Sequence, residues 1–301
     1  MPAEKLNLDI PGSISDFESA MREFLIKRVV YKIIFRGKGL EFDGYRNFSS
    51  DDDASEIDWK ASTRANKLLV KQYIEERDLK IMFVIDVGDN MIFGSQEKLK
   101  CEYAAEMVAA LSHLIINSND RIGFIFFSDK IVKTIMPEFG MKQFSLFVDF
   151  LSRSQMYGGD SKIEGALDFL IDYLDTSINS VIFVSDFIKL DKNLLKKFNL
   201  ISTKFETMAL MIKDPLDMSL PDVSGEMIIE DPRTQEQMII DPKIAKKTYE
   251  KNAFEQEKMV INIFEKCDVD FLKLDTSKSF VEPLANFLRE RVEKRKFMVA
   301  K

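Results

Sequence analysis

"KIMFVID" (80–86) and "SVIFVSD" (180–186) decide how this chain folds. Each is an apolar run too short for a helix, and each ends in an acid. Runs of this length, apolar on both faces, fit strands buried in a parallel sheet with both sides covered. The segments around them keep the same rhythm. Residues 96–117 have helical spacing, with Cys101, Ala104, Ala105, Val108, Leu111 and Ile115 on one face. "RIGFIFFS" (121–128) and "KIVKTIM" (130–136) flank an Asp-Lys turn and are expected to be strands. Helices are expected at 141–152, 162–175 and near 190–200, with a strand in "ETMALMI" (206–212). Alternating strands and helices predict an α/β fold with a doubly wound, mostly parallel, Rossmann-like sheet flanked by helices.

Outward from this core (79–213), the pattern changes on both sides. The first 78 residues form an N-terminal extension. A helix is expected from Phe17 to about Phe35, with Phe24, Leu25 and Val29 on one side. A strand or hairpin is expected in 37–48, a polar helix or loop in 49–67, and a strand in 68–77. On the other side, 214–268 is expected to be an insertion. It holds two hairpin arms, "GEMIIE" (225–230) and "EQMIID" (236–241), and a helix over 243–267. "VDFLKLD" (269–275) is expected to return to the sheet as its last strand, followed by a helix over 280–296.

The composition is that of a soluble protein, with 301 residues, 46% hydrophobic and 31% charged. No apolar run reaches membrane-spanning length, and "MPAEKLNLDI" (1–10) lacks the apolar core of a signal peptide. A cytoplasmic location is expected. A net charge of −7 argues against nucleic-acid binding. The basic stretch "FLRERVEKRKF" (287–297) alternates with Glu and reads as a solvated helix face. Cys101, Cys267 and the lone His113 sit in helical patterns without metal-site spacing.

In open parallel sheets, ligands bind beyond the carboxyl ends of the strands. Asp86 and Asp186 end two strands, and "MYGGDSKIEGAL" (156–167) brings Asp160 and Ser161 to a glycine turn before a helix. With Asn90, these residues form an all-oxygen set suited to a hard cation such as Mg²⁺. The same residues also suit helix caps and loop hydrogen bonds. Both readings stay open on the sequence.

A strand ending in Asp, a "GG" turn before a helix and "VSD" at a later strand end resemble a von Willebrand factor A-like domain. The segment "GYRNFSSDDDASEIDWKASTRANKLLVKQYIEERD" (44–78) is similar to the signature of the bacterial family called domain of unknown function fifty-eight. Ile57-Asp58-Trp59, Arg64 and Leu69-Val70 carry that match, and the resemblance covers about residues 35–290. "PDVSGEMIIEDPRTQEQMII" (221–240) is similar to the family's C-terminal hairpin. The fold family's metal motif is Asp-x-Ser-x-Ser, then a Thr, then an Asp. Here Asp86 and Asp186 match, Gly88 and Asn90 replace the serines, and the Thr position falls on Asp160 or Ser161. In the signature element, Asp51 and Ser55 stand where Gly and Arg are usual.

The resemblance implies a non-enzymatic adaptor that works with a MoxR-type AAA+ ATPase in maturation or remodelling of a client protein. Partner binding would take place at a degenerate metal-ion-dependent adhesion site, with Mg²⁺ or no cofactor. The chain has no phosphate-cradling Gly-x-x-x-x-Gly-Lys loop of its own. Trp59, the single tryptophan, is expected to bury a large area, with Asp58 and Arg64 docking the extension or meeting a partner. The alternative is a Mg²⁺-dependent phosphatase or nuclease on the same sheet. A haloacid-dehalogenase-type phosphatase, however, needs an acid where Gly88 stands.

Overall fold

The computed structural model describes residues 5–26, 40–49, 54, 57–75, 79–223, 225–230 and 237–299. At its centre is a six-stranded sheet. Its strands are β3 (Lys80–Asp86), β4 (Arg121–Phe127), β5 (Ile131–Glu138), β6 (Ser180–Ser185), β7 (Glu206–Lys213) and β10 (Asp270–Asp275). Their order is β10-β7-β6-β3-β4-β5. All neighbours run parallel except β5, which returns antiparallel beside β4 at the edge. The last strand does return to the sheet, beside β7.

Strand alternation divides the core between the two faces. Ile81, Phe83 and Ile85 point to one side of β3, and Met82 and Val84 to the other. The first side is covered by α1 (Ile10–Ile26), α3 (Lys100–Ile116), α4 (Met141–Ser152) and α9 (Val281–Val299). The second is covered by α5 (Ile163–Tyr173), α6 (Leu195–Lys204) and α8 (Pro242–Lys266). Phe83, Phe124, Phe126 and Phe147 fill the first core, and Phe183, Phe198 and Phe264 the second.

Three expectations change. The N-terminal helix spans Ile10–Ile26 rather than beginning at Phe17, and it buries Phe17 and Met21. Residues 27–39, with Val29, and the side chains of Phe24 and Leu25 lie outside the described residues. Second, α3 is buried all round rather than on one face, because α1 covers the side turned away from the sheet. Its buried Glu102 and Glu106 accept hydrogen bonds from Asn7, Asp9 and Ser13 of the N-terminal segment. Third, the C-terminal basic stretch is not solvated throughout. Arg291 is buried and donates to Glu206 Oε1 at 2.7 Å and Asp270 Oδ2 at 2.6 Å.

The remaining elements are smaller. Strands β1 (Leu40–Asn47) and β2 (Leu69–Glu75) pair antiparallel and enclose α2 (Trp59–Ala65) in sequence. A second ribbon pairs β8 (Met227–Glu230) with β9 (Gln237–Ile240). Its turn, like Asp51 and Ser55, lies outside the described residues. The short helix α7 (Pro215–Met218) follows β7 directly.

Candidate functional site at the carboxyl end of the sheet

Asp86 is the last residue of β3, and Ser185 ends the adjacent parallel strand β6. Their side chains meet. Asp86 Oδ2 accepts hydrogen bonds from Ser185 Oγ (2.7 Å), Ser161 Oγ (2.7 Å) and Asn90 Nδ2 (3.1 Å). Asp86 Oδ1 accepts from the Gly88 N–H at 2.9 Å. Ser161 arrives through the glycine turn. Gly158 and Gly159, at φ +135° and +87°, take conformations that favour glycine. The turn is pinned by Gly158 N–H to the Val87 carbonyl (2.7 Å), Asp89 N–H to the Gly159 carbonyl (2.8 Å) and Gly159 N–H to Asp89 Oδ1 (3.1 Å).

Burial, and then the charge of Asp186, push the Asp86 carboxyl above the usual carboxylate range. The two serines and Gly88 pull against that shift.

Asp186 is held differently. Its Oδ2 accepts from Lys100 Nζ at 2.8 Å and its Oδ1 from the Ile188 N–H at 3.1 Å. Lys100, the first residue of α3, is 1% exposed, and it also donates to Asp217 Oδ2 at 2.9 Å and Oδ1 at 3.2 Å. Burial alone would lower the Lys100 pKa, but Asp186 and Asp217 outweigh it and hold it above the ordinary lysine value. Burial works the other way on Asp186 too. Lys100 first, then Lys213 and the Asn90 amide, still hold that carboxyl below the usual range.

Asp217 reaches this point because "DPLD" (214–217) is a capping box. Asp214 Oδ1 accepts from the Leu216 N–H at 2.9 Å, and Asp217 Oδ2 accepts from the Asp214 N–H at 2.9 Å. Asp214 also accepts from Ser95 Oγ (2.6 Å) and Thr276 Oγ1 (3.2 Å), which ties the loop after β3 to the end of β10.

The structure thus brings Asp86, Asn90, Ser161 and Asp186 to one end of the sheet. Asp160 is turned aside into an ion pair with Lys189. The helix-cap alternative does not hold for these residues. Helix α5 has Lys162 at its N-cap with no side-chain bond, and Asp191 rather than Asp186 caps the helical turn that follows. Ser185, Lys100, Lys213 and Asp217 belong to the cluster although sequence reasoning missed them. The serine in "VSD" was the one available signal for Ser185.

A divalent cation does not fit this arrangement. Asp86 already accepts four protein hydrogen bonds, and both serine hydroxyls point their protons at it. Asp186 is neutralised by an ammonium. Gly88 cannot gain a hydroxyl without movement, since a Cβ there would lie 2.6 Å from Asn90 Oδ1. Asn90 Oδ1 is buried and without a partner. Among the described residues, no three His, Cys, Asp or Glu side chains are placed to hold a metal.

The Asp-Trp element has a local role. Asp58 caps α2 by accepting from the Lys60 and Ala61 N–H groups, each at 3.1 Å, and from Tyr45 Oη at 3.1 Å. The Ala61 N–H foremost keeps its carboxyl below the usual range. Trp59 does not bury the area expected of it. It is 64% exposed at the first position of α2, while Ile57 and Val70 nearby are buried. Arg64 is exposed as well. Cys101 and Cys267 are buried free thiols, and burial pushes Cys101 up to about 12. Among the described residues, no helix is long and apolar enough to cross a membrane.

Two mycobacterial proteins resemble this chain over most of their length. Uncharacterized protein Rv1480 of Mycobacterium tuberculosis (strain H37Rv) and Uncharacterized protein Mb1516 of Mycobacterium bovis are each 23% identical over 85% of this chain and 80% of their own. Among solved structures, BatB from Bacteroides thetaiotaomicron superposes with a TM-score of 0.49 at 13% identity, covering 71% of this chain and 99% of its own. The SpRpn10 VWA domain superposes with a TM-score of 0.39 at 12% identity, covering 68% and 93%. The family described as protein of unknown function DUF58 matches residues 44–259, and the chain belongs to it.

Proposed function

We propose that this protein is a non-enzymatic adaptor with a von Willebrand factor A-like core that docks a partner at the carboxyl end of its sheet. One observation carries this reading. The polar groups at that end are largely satisfied by one another, while the two loops that leave Asp86 and Asp186 expose Ile92, Phe93 and Ile188. A satisfied polar centre beside exposed apolar side chains suits recognition better than bond-making chemistry. The partner class, a MoxR-type AAA+ ATPase acting on a client protein in the cytoplasm, comes from the family resemblance.

Affinity capture of the full chain from its own cells tests this. Wild type should recover an AAA+ ATPase. Phe93→Asp with Ile188→Asp should lose it while the circular dichroism spectrum is unchanged. Failure of wild type to recover any such ATPase overturns the partner. Turnover of a phosphoester by the pure protein, lost in Asp86→Asn, overturns the non-enzymatic reading.

A further inference from the structure

The carboxyl end of this sheet carries two buried lysines. Lys100 bridges Asp186 and Asp217, and Lys213, the last residue of β7, is 5% exposed beside the same two acids. The position of Lys100 runs against local preference. A cation at the first residue of a helix faces the positive end of the helix dipole. Leu99, at the N-cap, offers no side-chain hydrogen bond to relieve it. Two carboxylates, reached across 86 and 117 residues of sequence, neutralise the buried charge, and the Phe93 ring lies 5.6 Å from the ammonium.

We propose that the Lys100 ammonium is the resident cation of this site, standing in for the divalent metal that a strand-terminal aspartate pair would otherwise recruit. Three features make the substitution complete. Lys100 supplies positive charge to Asp186 at 2.8 Å. The Asn90 amide, which donates to Asp86 at 3.1 Å and also lowers the Asp186 pKa, links the two strand-end acids. Ser161 and Ser185 donate their hydroxyl protons to Asp86, and the Ser185 oxygen also accepts from the Phe187 N–H at 3.1 Å. Mg²⁺ gives up water reluctantly and needs near-octahedral oxygen ligands. Lys100 Nζ, seated 2.8 Å from Asp186 and 2.9 Å from Asp217, occupies the carboxylates that such a shell would need. The site is therefore constitutively formed and indifferent to divalent ions, whatever docks on it.

Mn²⁺ serves as the probe, followed by its paramagnetic resonance signal and by thermal unfolding of the full chain. Wild type should leave the free Mn²⁺ signal undiminished, and its melting temperature should be the same in Mg²⁺ and in chelator. Lys100→Ala, with Asp186 and Asp217 uncovered, should take up one Mn²⁺ and melt higher in its presence. Stoichiometric Mn²⁺ uptake by wild type, abolished in Asp86→Asn, overturns the proposal. So does a folded Lys100→Ala protein with no metal response. If Lys100→Ala does not fold in either buffer, the wild-type titration decides alone. None of these readouts depends on the partner.

Discussion

Lys100 and Asp186 lie 86 residues apart in sequence and meet at 2.8 Å, with Lys100 1% exposed. The contact links the first turn of α3 to the end of β6, and through Asp217 to the turn after β7. It makes three loops at the carboxyl end of the sheet one electrostatic unit. Removing one member of such a group leaves the others charged and desolvated, which costs more than the group contributes as a whole.

Lys100→Met should therefore lower the unfolding free energy by about 3–5 kcal/mol, the range for breaking a buried pair. Urea unfolding at neutral pH measures it. A loss below about 1 kcal/mol, the scale of a surface ion pair, would show that the contact is not a buried one.

Lys213→Met should do the opposite. Burial holds the Lys213 amine below its ordinary pKa, and Asp186 and Asp217 offset this only in part. A base with a depressed native pKa binds fewer protons when folded than when unfolded, between the native and the unfolded pKa. Wild-type stability therefore rises with pH through that window. Methionine removes the cost of the buried charge. The variant should equal or exceed wild type at neutral pH, and its advantage should shrink as pH climbs toward the ordinary lysine value. Urea midpoints across that range decide. A Lys213→Met loss matching that of Lys100→Met would contradict the assignment.

The contrast between these lysines shows what the sequence could reveal. Asp86 and Asp186 were legible because an acid closing an apolar run is a local signal. The strands, most helices and the return of β10 were legible for the same reason, since period and length are local. Lys100 sits in "EKLKCEY" (97–103), near the start of the helical pattern over 96–117, where no local signal marks it as a site residue. Asp217 sits in a proline-marked connection. Both become site residues only through contacts that span 86 and 117 positions. The exposure of Trp59 was hidden for a related reason. An aromatic after a helix cap faces inward or outward according to packing that no neighbour in sequence specifies.

Gly88 is required by space rather than by conformation, because its φ is −67°. A Cβ there would meet Asn90 Oδ1 at 2.6 Å and Ser161 Cβ at 3.0 Å. Gly88→Ala should cost about 1–3 kcal/mol, as overpacking does. Combined with Asn90→Ala, the penalty should be smaller than the sum of the two single changes, since the amide that blocks the methyl is gone. Four urea curves complete the cycle, and strict additivity would place the clash elsewhere.

Trp59→Ala should change stability by less than about 0.5 kcal/mol, as exposed substitutions do. Val70→Ala, in the neighbouring strand and 1% exposed, should be clearly destabilising. If Trp59→Ala unfolds the chain, this tryptophan has a packing role after all. If it leaves stability intact but weakens capture of the ATPase, the Asp-Trp element is part of the docking surface.

The serines around Asp86 give a pH-dependent outcome. Burial already raises the native pKa of this carboxyl, so the folded protein binds more protons than the unfolded one above the ordinary aspartate pKa. Stability contributed by this group is therefore present at low pH and lost as pH rises through that window. Ser185→Ala removes a 2.7 Å donor to the carboxylate. It should raise the Asp86 pKa further and cost about 1.5–3 kcal/mol at neutral pH, the range for a hydrogen bond to a charged group. The penalty should diminish toward about pH 4, because the folded-state carboxyl, with its raised pKa, takes up its proton on the way and no longer needs the donor. Urea midpoints of wild type and Ser185→Ala at the two pH values test the sign. A penalty that grows on acidification would mean that Ser185 stabilises the neutral acid rather than the carboxylate.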